Sequence, residues 1–148
     1  MALTADLLHQ KLQLDLVTPE ARLLSIPCDE VRAPGAAGGF GVRPGHTPFI
    51  TSLAPGVLTY VISGSGGTAA SEVRYAIAGG FCEVAENRVT VLAEFAESAA
   101  GIDFAAALRE HDEAVNRMRE SRGRDEAAFR REAAIVRRSA ARIAASRP

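Results

Sequence analysis

The sequence predicts an antiparallel β sandwich or barrel followed by a C-terminal α-helical hairpin. Up to about Glu97, apolar residues alternate with polar ones as in half-buried strands, and no helical stretch separates these segments. After Gly101 the apolar period becomes that of an α-helix. We therefore expect a β domain over residues 1–100, of which 1–10 form a flexible lead, and a two-helix hairpin over residues 101–148.

The first strand is predicted in the segment KLQLDLVTP. Leu12, Leu14 and Leu16 alternate there with polar residues, and Pro19 ends the pattern. Further strands are predicted in four segments bounded by Gly, Pro or Asn, namely CDEVRAP, GVLTYVIS, EVRYAIAGGFCEVA and RVTVLAEF.

A β-hairpin is predicted in EVAENRVTV, with its turn at residues 85–88 and with Val84 opposite Val89 or Val91. The segment SGSGGTAAS at 63–71 has neither charge nor aromatic side chains. It predicts a flexible loop between two strands.

Two helices are predicted after Gly101. Asp103 can cap the first helix, Gly123 can adopt a left-handed conformation after it, and Asp125 can cap the second. The predicted apolar stripes are Phe104, Leu108, His111, Val115 and Met118 in the first helix, and Phe129, Ala133, Val136, Ala140 and Ile143 in the second. Because both stripes are narrow and rich in alanine, the hairpin needs the β domain or a partner to hold it.

Composition and charge exclude several classes of protein. Hydrophobic residues make up 47% and charged residues 24% of the 148 residues, which is a globular mixture. Residues 1–102 carry six basic and ten acidic side chains, whereas residues 103–148 carry eleven and eight. No apolar run approaches the roughly 20 residues that span a bilayer, and no signal-type segment opens the chain, so we expect a cytosolic protein.

Cys28 and Cys82 have no metal-binding spacing and are expected to be buried free thiols.

The segment GGFGVRPGHTPFIT, residues 38–51, resembles a phosphate-binding loop only in its glycines. It has no Lys followed by Ser or Thr, and Pro44 and Pro48 prevent a helix from starting across it. His46 is either a general base or a turn histidine bonded to backbone or lining an interface. We favour the turn or interface, since no nucleophile is set beside it in the sequence.

Other sites and ligands are also poorly supported. His9, His46 and His111 lie in three separate regions without metal-binding spacing, so no metal or cofactor is expected. The arginines of the hairpin are interleaved with acids, as in the helical pairs Glu120 with Arg124 and Glu126 with Arg130, which argues against nucleic-acid binding.

Three motifs together resemble a known family. They are G-x-x-P-G-H-x-P at 41–48, L-x-P-G at 53–56 and G-G-x-x-E-V-x-x-N-x-V-T-V-L-A at 79–93. With the terminal helical hairpin, and in this order from about residue 12 to the end, they resemble the epsilon subunit of bacterial rotary ATP synthase. The resemblance implies a ten-stranded β sandwich and a noncatalytic role on the central stalk.

The resemblance also implies partners and a location. The sandwich would bind the gamma subunit and the c-subunit ring, and the hairpin would extend toward the alpha/beta catalytic head and restrain ATP hydrolysis. Membrane association would be peripheral, through the complex, at the cytoplasmic face of the bacterial inner membrane. The coupling ion, proton or sodium, belongs to other subunits.

Carried over residue by residue, the resemblance places the gamma and c-ring contacts on one loop. Its residues are Phe40, Gly41, Arg43, Pro44 and His46. Acidic residues common in this loop of the family are replaced here by Ala37 and Gly39, so contact has to rely on backbone, Phe40 and Arg43.

The hairpin carries two further expectations from the family. In the ATP-binding motif of some relatives, I/L-D-x-x-R-A, Ile102 and Asp103 match, but Ala106 replaces the arginine, so regulatory ATP binding is expected to be weak or absent. The arginines that can pair with acidic segments of the catalytic subunits are Arg117, Arg119, Arg122, Arg124, Arg130, Arg131, Arg137 and Arg138. The alternative is that these arginines only keep the helices soluble.

For the chain as a whole, the alternative function is a free-standing β-sandwich interaction module with a helical adaptor.

Overall fold

Ten strands form a β sandwich, and two helices follow it. The computed structural model describes residues 10–147, so His9 and nearly all of the predicted flexible lead lie outside the described residues. The strands are β1 (Leu12–Val17), β2 (Arg22–Cys28), β3 (Glu30–Gly35), β4 (Gly38–Val42), β5 (Phe49–Ser52), β6 (Gly56–Ile62), β7 (Ser71–Ile77), β8 (Gly80–Ala85), β9 (Arg88–Ala93) and β10 (Ala96–Ser98). The predicted sandwich of about ten strands is therefore confirmed.

The strands make two five-stranded sheets. The first sheet has the order β2-β1-β9-β8-β5, and the second has the order β10-β7-β6-β3-β4. All pairs are antiparallel except β1 with β9, which run parallel, with Leu14 beside Val89 and Leu16 beside Val91. The expectation of a wholly antiparallel fold is wrong for this pair. The alternation of side chains assigns residues to faces but leaves strand direction open when no short turn joins two strands.

The core between the sheets is aliphatic and follows the predicted period of two. Leu12, Leu14 and Leu16 are buried from the first sheet and pack in one cluster with Val31 and Leu58 of the second. As predicted, Cys28 and Cys82 are buried free thiols. Their small side chains fill space in the core rather than close a bridge.

The β8–β9 hairpin also forms as predicted. Val84 pairs with Val89 and Ala85 with Arg88, so Glu86 and Asn87 make a two-residue turn. Both turn residues have positive φ, 50° and 59°, as the right-handed twist of the hairpin requires. The predicted loop at 63–71 connects β6 and β7, and its last residue, Ser71, opens β7.

The two helices are α1 (Phe104–Ser121) and α2 (Glu126–Ser146), preceded by a short 3-10 turn at Ala99–Gly101. Both predicted caps form: Asp103 accepts a hydrogen bond from the Ala106 N–H and Asp125 from the Ala128 N–H. Gly123 has the predicted left-handed conformation, with a φ of 74°. No helix within residues 10–147 combines the length and apolar character needed to cross a bilayer.

The apolar stripe predicted for α1 is partly wrong. Phe104 and Leu108 are exposed, whereas Ala107 and Ala114 are fully buried. Ala107 and Ala114 lie one position before the predicted Leu108 and Val115, and they are the residues buried where the two helices meet. The predicted His111 does face α2, with its Nδ1 3.1 Å from Ser139 Oγ. Small side chains allow the helix backbones to approach closely, and the larger residues are displaced to the rim.

The hairpin is docked against the second sheet. A small cluster joins Ala76 of β7 to Ala141 and Ala145 of α2, with Val57 and Ile102 packed around it. This cluster is separate from the sandwich core and consists mainly of alanine. The hairpin therefore rests on the β sandwich through little apolar surface.

Candidate functional site

The glycine-rich segment at 38–51 changes sheet in its middle. Gly38–Val42 form the edge strand β4 of the second sheet, and Phe49–Ser52 form the edge strand β5 of the first. Residues 43–48 form the turn that connects them, called here the connecting turn. The expected single loop is wrong in this respect, because Phe40 and Gly41 lie in a strand, while Arg43, Pro44 and His46 lie in the connecting turn.

Backbone geometry and aromatic contacts shape this turn. The His46 N–H donates to the Arg43 carbonyl oxygen at 3.2 Å, and Gly45 has a φ of 87°, a conformation that favours glycine. The Gly45 N–H donates to Asn87 Oδ1 at 2.7 Å. Phe49 contacts Phe40 edge-on at 5.2 Å between ring centroids and His46 at 6.1 Å, which joins the turn to both edge strands.

His46 is placed as a turn histidine. Its Nδ1 lies 2.6 Å from the Thr47 carbonyl oxygen, to which it donates, so one ring nitrogen is engaged with backbone. The two thiols of the chain are buried, and burial raises the pKa of both Cys28 and Cys82 to about 11. Asp29 contributes further to the shift at Cys28, and Glu83 to that at Cys82. Neither thiol is available to His46 as a nucleophile.

Arg43 supplies the exposed charge of the connecting turn. Its side chain is 77% exposed, and its guanidinium lies 3.7 Å from the Glu30 carboxylate. Ala37 and Gly39 are also exposed, but they lie at the opposite end of β4 and bring no charge of their own. The turn therefore offers one exposed cation, a proline and backbone groups for contact.

A second surface was not anticipated from the sequence. Three large apolar side chains lie on the outer face of the first sheet: Ile50 is 71%, Phe81 60% and Leu92 52% exposed. Phe81 pairs directly with Leu92, and Leu92 lies beside Val17. We call Val17, Ile50, Phe81 and Leu92 the outer apolar patch. A shallow groove of about 330 Å³ runs along Val17, Phe81 and Leu92.

The outer apolar patch could have been found by extending the strand pattern. Once Val84 faces Val89 in the core, the alternation places Phe81 and Leu92 on the opposite face. Ile50 required knowledge that 49–52 is a strand, which its glycine- and proline-rich surroundings obscured.

The eight arginines predicted to contact the catalytic subunits all lie on the exposed surface of the hairpin. Arg130 pairs with Glu126 at 3.1 Å, as predicted, and Arg117 lies 3.0 Å from Glu132. Arg124 lies in the turn between the helices, and within residues 10–147 it makes no ion pair with Glu120. The Arg138 guanidinium lies 5.9 Å from the ring centroid of Phe95 on the sandwich. The remaining members of the set are Arg119, Arg122, Arg131 and Arg137.

The residues that match the family's nucleotide motif have structural roles here. The Asp103 carboxylate is engaged as the cap of α1, at 3.0 Å from the Ala106 N–H. Ile102 packs in the alanine cluster beneath α2. Ala106 provides no cation. Within the described residues there is also no group of three or more His, Cys, Asp or Glu side chains placed to hold a metal ion.

Comparison with known proteins decides the family. Residues 11–99 match the family model described as the beta-sandwich domain of the ATP synthase delta/epsilon chain. An ATP synthase epsilon chain from Anaeromyxobacter sp. (strain Fw109-5) is 54% identical over 132 residues, which cover 89% of this chain and 95% of that one. The chain belongs to the ATP synthase epsilon chain family. An epsilon chain from Myxococcus xanthus is 48% identical over 92% of this chain and 95% of its own length.

The fold agrees with that of a solved ATP synthase structure. A chain in the cryo-EM structure of the Euglena gracilis mitochondrial ATP synthase, solved as OSCP/F1/c-ring in rotational state 1, superposes with a TM-score of 0.70. Its sequence identity is 23%, and the match covers 88% of this chain and 78% of that one. As a member of the epsilon chain family, the protein is a noncatalytic subunit of ATP synthase.

Proposed function

We propose that this epsilon chain lies on the central stalk, where it binds the gamma subunit and the c-subunit ring and couples them to the alpha/beta catalytic head. The outer apolar patch is the observation that carries the proposal. Contiguous large apolar side chains on a sheet face are costly in water and typical of a surface that a partner covers. Ile50, Phe81 and Leu92 form such a surface on the first sheet.

The two surfaces differ in chemistry, and we assign them different partners. The outer apolar patch suits a lasting contact with gamma, since it excludes water without needing charge. The connecting turn, with the exposed cation of Arg43, and the adjoining edge strand β4, with the half-buried Phe40 and the exposed Gly41, suit contact with polar loops of the c ring. Pro44 and His46 complete this proposed ring contact. Peripheral attachment at the cytoplasmic face of the inner membrane follows from binding the ring.

The assignment of the patch is tested with two matched substitutions. Leu92→Ser removes an apolar side chain from the outer apolar patch, and Leu108→Ser removes a similarly exposed leucine from α1. We expect Leu92→Ser to weaken the affinity for isolated gamma roughly tenfold, which corresponds to about 1.4 kcal/mol, while Leu108→Ser leaves it unchanged. Equal affinities of the two variants would contradict the assignment.

We further propose that the hairpin restrains ATP hydrolysis by extending from the sandwich toward the catalytic subunits, where its exposed arginines pair with acidic segments. The thin alanine cluster beneath α2 supports this, because few apolar contacts must be broken for the hairpin to leave. Truncation after Gly101 in the assembled enzyme should raise ATPase activity while assembly and coupling survive. An unchanged rate would refute the inhibitory role.

The arginines have a separate test. Replacing Arg119, Arg122 and Arg131 with Gln should raise ATPase activity if these cations hold the catalytic subunits. An unchanged ATPase rate combined with lower solubility would instead support a solubilising role alone.

A free-standing interaction module is the competing function. Affinity isolation with the full chain separates the two: recovery of gamma and other ATP synthase subunits supports the stalk role, and consistent failure to recover them supports the module. We also propose that regulatory ATP binding by the hairpin is weak or absent, because Asp103 is engaged as a cap and Ala106 has no charge. Equilibrium dialysis with ATP tests this, and tight, saturable binding would contradict it.

A further inference from the structure

The side chain of Asn87 connects the β8–β9 turn to the connecting turn. Its Oδ1 accepts a hydrogen bond of 2.7 Å from the Gly45 N–H. Its Nδ2 donates to Gln10 Oε1 at 3.1 Å, so both ends of the amide are used and its orientation is fixed. The Asn87 carbonyl oxygen accepts from the Gln13 N–H at 2.8 Å. One residue thereby joins Gln10, β1 and a turn that is 42 residues away in sequence.

The backbone conformation alone does not explain why asparagine is here. Asn87 has a φ of 59°, which asparagine tolerates better than most residues, but Glu86 beside it has a φ of 50° with a side chain poorly suited to that region. Within residues 10–147 the Glu86 side chain is exposed and forms no hydrogen bond. Glu86 and Asn87 therefore share a left-handed backbone conformation, but only the Asn87 side chain forms hydrogen bonds with other parts of the chain.

The connecting turn has few restraints of its own. A single internal backbone hydrogen bond closes it, from the His46 N–H to Arg43, and glycine at position 45 gives the backbone wide freedom. The bond from Asn87 holds the middle of the turn, between Pro44 and His46. Without it, Gly45 has only solvent for its N–H, and the turn can sample other conformations.

We propose that Asn87 is a positioning residue for the c-ring contact. It sets the orientation in which Pro44, His46 and the base of the Arg43 side chain are presented, and it does so without touching the partner. This inference rests on the proposed binding of the ring by the connecting turn. Fixing a loop in its bound conformation before association reduces the ordering cost of binding.

The test uses variants that keep the left-handed backbone. Asn87→Gly removes the side chain but retains the turn, since glycine readily adopts positive φ, and Glu86→Gly makes the same exchange at the matched neighbouring position. Asn87→Asp keeps an acceptor for the Gly45 N–H. The affinity of each labelled full-length variant is measured for a purified complex of gamma with the c ring, and circular dichroism melts verify that each variant is folded.

We expect Asn87→Gly to weaken this affinity about fivefold to tenfold, the effect of losing one ordering hydrogen bond. Glu86→Gly and Asn87→Asp should remain within about twofold of the natural chain. Amide hydrogen exchange at Gly45 should accelerate in Asn87→Gly and not in the other two variants. This exchange measurement does not depend on any partner.

Arg43→Ala and His46→Ala separate the possible failures. If they weaken binding while Asn87→Gly binds as tightly as Glu86→Gly, the positioning role is wrong and the ring contact stands. If neither turn substitution changes the affinity, the ring contact itself is wrong, and the role of Asn87 in it fails with it. Slower dissociation or unchanged Gly45 exchange in Asn87→Gly would also overturn the inference.

Discussion

Asp15 is a carboxylate that is buried although its strand position faces outward. Ser25 donates a 2.5 Å hydrogen bond to it, and Arg88 pairs with its second oxygen. The bond from Ser25 lowers the pKa of the Asp15 carboxyl below its ordinary value of 3.8, against the opposing effect of burial, and Arg88 lowers it further. Folding therefore favours the ionised form of Asp15. Its contribution to the free energy of unfolding is fully present above pH 3.8 and is lost as the pH falls through the lower folded-state pKa.

We predict that Asp15→Asn lowers the free energy of unfolding by about 1–2 kcal/mol near neutral pH, because the charge-assisted pair with Arg88 is lost. The deficit relative to the natural chain should shrink in acid, as the natural carboxyl becomes protonated. Urea titrations at neutral and acidic pH measure both quantities. Asp112→Asn, which removes an exposed carboxylate from α1, is the control and should leave stability nearly unchanged. A deficit that persists undiminished in acid would contradict the role of the charge.

At the scale of elements, the sequence predicted the features that depend on residues close together in the chain. Asp103, Gly123 and Asp125 fixed the limits of both helices, because caps and left-handed turns act within a few residues. The turn at 85–88 was likewise predicted, but the register was left open between Val89 and Val91 as the partner of Val84, and the structure pairs Val84 with Val89. The strands β4 and β5 escaped prediction for different reasons. Three of the five residues of β4 are glycine, which has low strand propensity. The strand β5 has only four residues directly after Pro48, and its pairing partner β8 lies about 30 residues further along the chain.

The face of α1 that packs on α2 could not be predicted from the apolar period alone. Phe104 and Leu108 are larger than Ala107 and Ala114, yet the helices meet along the alanines, since close approach of the backbones decides the contact. The outer apolar patch was missed for a related reason. A partner-facing surface carries residues that also fit a core, so hydrophobicity does not distinguish the two.

Arg142 links three elements and should determine how firmly the hairpin is docked. Its Nε lies 2.8 Å from Glu97 Oε2 on β10, and its Nη1 lies 2.8 Å from Glu110 Oε2 on α1. The arginine side chain is only 23% exposed, so both bonds form in a partly desolvated setting. Its removal leaves two neighbouring carboxylates without their shared cation.

We predict that Arg142→Gln weakens docking of the hairpin by about 1–2 kcal/mol, which corresponds to roughly tenfold faster amide exchange in α2. The strands should keep their natural exchange rates. Arg131→Gln, at an exposed position on the same helix, serves as the control. If α2 exchanges equally fast in both variants, the junction at Arg142 does not hold the hairpin.

At the scale of the molecule, two unequal apolar clusters define how the chain is divided. The main cluster lies wholly within the strands and their connections, from Leu12 to Ala93. The smaller one has three fully buried members, Ala76, Ala141 and Ala145, and it is the part shared between sheet and hairpin. Charge follows the same division, since the acidic excess lies in residues 1–102 and the basic excess in 103–148. Attraction between the two parts thus supplements a weak apolar contact.

This division leads to a prediction about independent folding, with the domain boundary near Gly101 as the proposal under test. A chain ending at Gly101 keeps the entire main cluster and exposes only Ala76, Val57, Phe95 and their neighbours, so its free energy of unfolding should fall by only about 1–3 kcal/mol. Urea unfolding should remain a single cooperative transition.

The complementary fragment, residues 101–148, should behave oppositely. Its helices have 18 and 21 residues and meet along alanines, so without the sheet they bury too little apolar surface to offset the loss of chain entropy. We expect low helicity in water by circular dichroism and a rise when the sandwich fragment is added, weakened by salt because the parts carry opposite net charge. Two outcomes would contradict the boundary. A truncated sandwich that fails to fold would mean that the strands need the hairpin, and a hairpin fragment that is fully helical alone would mean that the helices do not need the sheet.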